Sequence, residues 1–112
     1  DPRRTETAEI ADEHLFIRPG ADAFLLMAMI NVLFAEGLVN TGHLQDCLDD
    51  VEKVAELVAP YSAEMAAEKT GISAEQIISL AREMATTEGS VCYGRMGVFC
   101  RTKLHVCRIC IR

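Results

Sequence analysis

Several features that would indicate a catalytic or nucleotide-hydrolysing function are missing from this sequence. It has neither a GxxxxGK[ST] nor a GxGxxG phosphate-binding loop, and it contains no internal repeat or low-complexity segment. His14 and His43 stand apart from any serine, cysteine or carboxylate at the spacing of a catalytic triad. We therefore expect no catalysis from this chain alone.

The composition is that of an ordinary globular protein, since 25% of the residues are charged and 50% are hydrophobic. This composition excludes a disordered chain, and 112 residues are enough for one domain with a modest core. The most apolar stretch, 21–39, carries Asp22, Asn31 and Glu36. A buried helix is therefore favoured over a membrane span.

Acidic residues are absent from the last part of the chain. All seventeen lie in 1–88, together with six Lys or Arg, whereas 89–112 contains five Lys or Arg and no acid. Four of the five cysteines also fall in this basic part, namely Cys92, Cys100, Cys107 and Cys110. A break of this kind indicates two stretches of different character.

The basic tail supports two weaker functional interpretations. Cys100, His105, Cys107 and Cys110 are ligand types for zinc or an iron–sulfur cluster, but eleven residues leave little loop to surround an ion. The positive charges favour nucleic-acid binding only weakly, because the acidic remainder would repel phosphate. We expect no metal site and no nucleic-acid partner.

Short apolar runs predict a few strands at the two ends of an α/β unit. HLFI (14–17) is typical of a buried strand that Arg18-Pro19-Gly20 would end. SVCYG (90–94) and, more weakly, LHVCRICI (104–111) are similar. The order of strand, helices and strand is typical of the α/β class.

Four helices are predicted between these strands. The first, 22–36, is apolar on nearly every face, so it belongs in an interior. The second, 43–58, carries an apolar stripe at helical spacing and is broken by Pro60. Ser62 caps a short helix that runs through Lys69, with Gly71 at a C-terminal position, and the capping-box pattern 73–76 opens a helix over 74–86.

Two long stretches, DPRRTETA (1–8) and ADEHLFIRPGAD (11–22), resemble the molybdopterin oxidoreductases of the dimethyl sulfoxide reductase family. The likeness continues through LMAM and LFAEGL in 22–38, TGISAEQI and LARE in 70–83, and YGRMGV (93–98). It covers 1–98, and the ordered set is specific although each motif alone is weak. We therefore predict a partial nucleotide-binding domain over 1–98 and a basic, cysteine-rich tail of non-family character over 99–112.

The resemblance implies a partial doubly wound, Rossmann-like α/β unit, helix-rich with a few short parallel strands, that binds the guanosine end of molybdopterin guanine dinucleotide. Asp1 would contact the ribose or guanine, Asp22 would accept hydrogen bonds from guanine nitrogens, and the turn 94–97 would approach the cofactor. The implied cofactor-binding residues are Asp1, Arg3, Thr5, Pro19, Gly20, Asp22, Gly94, Arg95 and Gly97.

The resemblance also implies what lies outside the chain. The iron–sulfur cluster and the molybdenum ligand would belong to other parts of a formate dehydrogenase-like or nitrate reductase-like oxidoreductase. The remainder of that enzyme is then the expected partner, and the fragment is expected to be inactive alone. Family members work on both sides of the bacterial inner membrane, so the compartment stays open, with the cytoplasm slightly favoured over the periplasm.

Two alternatives stay open on the residues alone. Asp22 at a helix start is also suited to a purely local role, as a cap or as an acid near the positive end of the helix dipole. The chain could also be a small non-enzymatic helical interaction module that has lost cofactor binding. In that case the apolar helix 22–36 would be covered by a partner or by self-association.

Overall fold

The computed structural model describes residues 1–94, which form five α-helices and one 3-10 helix joined by loops. The central helix packs against the three helices that follow it, and the last two also pack against each other. The helices are α1 (Glu6–Glu9), α2 (Asp22–Ala35), α3 (Val51–Val58), α4 (Ala63–Thr70) and α5 (Ala74–Thr86), with the 3-10 helix at Gly42–Cys47.

Helix α2 is the centre of the packing, as its uniformly apolar sequence predicts. Met27, Ala28, Met29 and Val32 are buried, and most of its other side chains are half-buried. Because neighbours surround α2 on several sides, apolar residues are favourable on nearly every face. Within residues 1–94, no helix combines the length and the apolar character that a membrane span requires.

Helices α4 and α5 begin and end at the residues that the sequence indicates. The Ser62 hydroxyl accepts from the Met65 backbone nitrogen at 3.2 Å, and Gly71 follows α4 with φ +80°. Ser73 and Gln76 form a complete capping box at the start of α5. These caps satisfy backbone groups that a helix leaves unpaired at its ends. The predicted bounds of α5 are confirmed, and α4 ends at Thr70, just after the predicted Lys69.

The core lies where α2, α4 and α5 meet. Ala66, Ile77 and Ala81 are fully buried there, and Ile17 brings the irregular segment before α2 (13–18) into the same cluster. Small residues on α4 and α5 allow the helices to approach closely, while larger aliphatic side chains fill the space between them. The rest of the buried cluster consists of Ala21, Ala28, Met29, Val32, Ala63 and Ile72.

The predicted strands are wrong for the part of the chain that the structure describes. Residues 14–17 have no regular secondary structure and 90–94 are exposed, and neither segment belongs to a sheet within 1–94. A strand needs a neighbouring strand to bond with its backbone. Here the backbone near 14–17 bonds elsewhere, since the Asp1 nitrogen donates to the Leu15 carbonyl and the Arg18 nitrogen donates to the Thr70 carbonyl. The third predicted strand, 104–111, lies outside the described residues.

The single helix predicted over 43–58 is also wrong. The chain forms the 3-10 helix, then three non-helical residues, and only then α3. Asp50 has φ +61°, a left-handed conformation that breaks a right-handed helix. The apolar stripe predicted one continuous helix, but Leu48 is exposed because the break turns it away from the core.

Candidate functional site

A cavity of about 300 Å³ lies beside the start of α2. Residues from the segment before α2, from the loop after α4 and from α5 complete its wall. Its volume is at the lower end of the range for ligand pockets in proteins. It is lined by Asp1, Glu13, His14, Leu15, Ile17, Asp22, Leu25, Ile72 and Leu80.

Asp22 is the first residue of α2 and is half-buried in this wall. It does not cap the helix, because Ala21 occupies the N-cap position and no side-chain cap bond is present there. The carboxylate still benefits from the positive end of the helix dipole, by roughly 0.3–1 kcal/mol in ordinary cases. Its oxygens are therefore not committed to capping the helix.

Asp1 lines the same cavity, although it is 21 positions away from Asp22 in the sequence. One of its carboxylate oxygens accepts from the Arg3 backbone nitrogen at 3.0 Å. Its own backbone nitrogen donates to the Leu15 carbonyl at 3.2 Å. The bond to Leu15 ties Asp1 to the segment before α2, so the fold brings two of the predicted acids to one cavity.

The other predicted residues take different positions. Arg3 and Thr5 are exposed and do not line the cavity, and Thr5 caps α1 by accepting from the Ala8 nitrogen at 3.4 Å. Pro19 and Gly20 form an exposed turn outside the cavity wall. Gly94 is exposed, with no atom within 4 Å of an added Cβ. The remaining two predicted residues, Arg95 and Gly97, lie outside the described part of the chain.

The sequence did not indicate several cavity residues. No motif marks Ile72 or Leu80 as a site residue, and only the tertiary packing of α4 and α5 brings them to the cavity. His14 carried no catalytic signal in the sequence. Both of its ring nitrogens are buried without a hydrogen-bond partner in 1–94, and its ring meets Phe16 edge-on at 4.5 Å. Unpaired buried nitrogens are costly, so this histidine is an unusual feature of the wall.

Metal-binding groups do not cluster in the part of the chain that the structure describes. Among residues 1–94, no set of three or more His, Cys, Asp or Glu side chains is arranged to hold an ion. Cys47 and Cys92 are exposed free thiols. The candidate ligands of the tail, from Cys100 onward, lie outside the described residues.

The chain is similar to large oxidoreductases over nearly all of its length. It is 36% identical over 98 residues to the F420-dependent formate dehydrogenase subunit alpha of Methanocaldococcus jannaschii and 34% identical to formate dehydrogenase H of Escherichia coli. Each match covers 88% of this chain but only 15% and 14% of the relative, so the chain spans about one seventh of their length. No family model matches the sequence.

A solved structure agrees with these sequence relatives. The acetylene hydratase from Pelobacter acetylenicus superposes on this chain with a TM-score of 0.78 at 35% sequence identity. The match covers 87% of this chain and 13% of the hydratase. The described helices and loops thus reproduce a segment of a much larger enzyme.

Proposed function

This chain belongs to the molybdopterin oxidoreductases of the dimethyl sulfoxide reductase family, of which it is a segment, and from that premise we propose that it forms part of a cofactor pocket. The proposed ligand is the guanine end of a molybdopterin guanine dinucleotide. The single observation that carries the proposal is that Asp1 and Asp22 line one cavity.

The chemistry of the cavity fits a guanine base. Guanine presents N1–H and N2–H₂ on one edge, and a carboxylate can accept from both. The base also needs an apolar surface for its flat face, and Ile17, Leu25 and Ile72 provide one. A base whose edge presents mainly acceptors would meet repulsion from the same carboxylates.

In the larger enzyme of which we propose this chain to be a segment, cofactor and protein have different roles. A bound molybdenum cofactor supplies the redox chemistry, while the protein binds and orients it. For this chain we propose only the binding role, with no turnover in the absence of the rest of the enzyme. We propose that the molybdenum ligand and an iron–sulfur cluster belong to that remainder.

The surface of the chain supports the remainder of the enzyme as its partner. Several large apolar side chains in 1–94 are exposed, and burying them in a larger protein would stabilise the fold. They are Ile10, Phe16, Val39, Leu48, Leu57, Val91 and Tyr93. None of them belongs to α2, which already packs against three helices, so this arrangement gives little support to self-association through α2 or to an interaction module built on it.

Asp22→Asn in the full 112-residue chain tests the proposal. The wild-type chain should bind GMP and discriminate against AMP, as followed by amide chemical shifts near 18–22 in NMR titrations. Asparagine offers one acceptor and a competing NH₂ group, so GMP affinity should fall about tenfold or more, as for loss of a hydrogen bond to a charged group. Preference for GMP over AMP should fall with it.

Glu75→Gln is the matched control, because it also removes a first-turn acid from a helix start but lies on α5 away from the cavity wall. It should lose a similar dipole interaction and keep its GMP affinity. The proposal is wrong if the wild-type chain binds GMP and AMP equally, or if Asp22→Asn binds GMP as the wild type does.

A further inference from the structure

Arg18 satisfies two carbonyls at the end of α4. Its backbone nitrogen donates to the Thr70 carbonyl at 2.9 Å, and its Nη1 donates to the Glu68 carbonyl at 2.7 Å. The last carbonyls of a helix have no partner within it, and they form the negative end of the helix dipole. A guanidinium is therefore well suited to this position, both as a donor and as a cation.

Gly71 provides the space for this contact. A Cβ added to it would lie 3.4 Å from Arg18 Nε and 3.6 Å from Arg18 Cγ, and its φ of +80° is one that glycine adopts without strain. The side chain of Arg18 thus lies across the glycine that ends α4. Arg18 and Gly71 together join the segment before α2 to the end of α4.

Arg18 does not line the cavity, but it connects two segments that do. Its carbonyl accepts from the Ala21 nitrogen at 3.1 Å, which closes the turn leading to Asp22. On the other side, the Thr70 hydroxyl accepts from the Ile72 nitrogen at 3.2 Å, and Ile72 is part of the cavity wall. Without the arginine side chain only the backbone bond to the Thr70 carbonyl would remain, and the acid would be freer to shift relative to the apolar wall.

We propose that Arg18 is a positioning residue that fixes the position of Asp22 relative to Ile72 for the bound base. It acts without touching the ligand, so it sets affinity and base preference through geometry. The inference rests on the proposed function, because it assigns Arg18 to the same nucleotide pocket. A site that must recognise one edge of a base needs its first contacts fixed by supporting residues of this kind.

The test compares Arg18→Ala with Arg82→Ala in the full chain. Arg82 also bonds a distant segment, through two contacts of 2.7 and 2.8 Å to Glu36, but it lies outside the cavity wall. GMP and AMP affinities are measured well below the thermal midpoint of each variant, with folding checked by circular dichroism. Arg18→Ala should lose about tenfold in GMP affinity and most of its preference over AMP, whereas Arg82→Ala should keep both.

Arg18→Lys supplies a rescue measurement. It retains a cationic donor for the Glu68 carbonyl, so it should recover most of the affinity that Arg18→Ala loses. If Arg18→Ala does not fold, Arg18→Gln, which removes the charge and keeps part of the stem, replaces it in the same comparison. Amide exchange at 18–22 and 70–72 should be faster in the weakened variant than in wild type even without nucleotide.

The outcomes distinguish the role of Arg18 from the proposed binding of guanine. If the wild-type chain fails to prefer GMP, the proposed function and the role of Arg18 fail together. If the wild type prefers GMP and the folded Arg18→Ala binds with the same affinity and preference, only the role of Arg18 is wrong. Equal losses in Arg18→Ala and Arg82→Ala would also overturn it, because they would indicate general destabilisation.

Discussion

Helix α5 and the segment 43–58 have similar apolar stripes but different structures. In α5 a capping box fixes the first turn, and Ile77 and Ala81 are fully buried. In 43–58 the chain breaks at Asp50, where no side-chain cap bond is formed, and Leu48 of its apolar stripe is exposed. Apolar spacing alone therefore does not decide whether a helix is continuous, and the end signals do.

The largest expected difference between the two regions is in core packing. Ile77→Ala should lower the free energy of unfolding by about 2–5 kcal/mol, because it leaves a cavity among α2, α4 and α5. Leu57→Ala removes a side chain of the same size from the exposed face of α3 and should cost about 0.5 kcal/mol or less. Urea denaturation of both variants measures the difference. Equal losses would mean that Leu57 is packed as tightly as Ile77, against its exposure.

A smaller difference is expected at the helix starts. Ser73→Ala should cost about 1 kcal/mol in urea denaturation, because the Gln76 backbone nitrogen loses its acceptor. Asp50→Gly should change stability by about 0.5 kcal/mol or less, since glycine relieves the left-handed backbone while the exposed contact with Lys53 is lost. A loss at Asp50 as large as that at Ser73 would show that α3 also depends on a cap.

The smallest expected difference is in the contribution of an ion pair to the stability of each region. Arg82 of α5 donates to Glu36 beyond the end of α2, and this hydrogen bonding lowers the pKa of Glu36 from its ordinary value of 4.5. Stability from the pair should be fully present above pH 4.5 and should be lost as the pH falls through the lowered folded-state pKa. Thermal melting from pH 6 to pH 3 should therefore decline less in Arg82→Ala than in wild type over this window. In the α3 region the pair of Lys53 and Asp50 is exposed and lies within one turn, so Lys53→Ala should change stability little.

Helices with local end signals were predictable from the sequence, and contacts between distant segments were not. Ser62, Gly71 and Ser73 mark the bounds of α4 and α5 because each makes its bonds within a few residues. The strand over 14–17 was wrongly predicted because its apolar pattern cannot show that the backbone pairs with Asp1 and Thr70 instead of a sheet. Short apolar runs are ambiguous for this reason.

The candidate site was predictable only in part, for a related reason. The family resemblance directed attention to Asp1 and Asp22, and the structure brings both to one cavity. Ile72 and Leu80 had no signal, because their place in the wall depends on how α4 and α5 pack against α2. Whether these residues bind a nucleotide stays a prediction for the titrations above.

Asn31, the amide in the middle of the apolar α2, has a consequence for the order in which the helices form. Its Nδ2 donates to the Val58 carbonyl at 3.0 Å, which satisfies an end group of α3 from another helix. An eight-residue helix is only marginally stable by itself in water. Helix α3 is therefore expected to become persistent only after α2 is in place, so α2 acts as a template for its neighbour during folding.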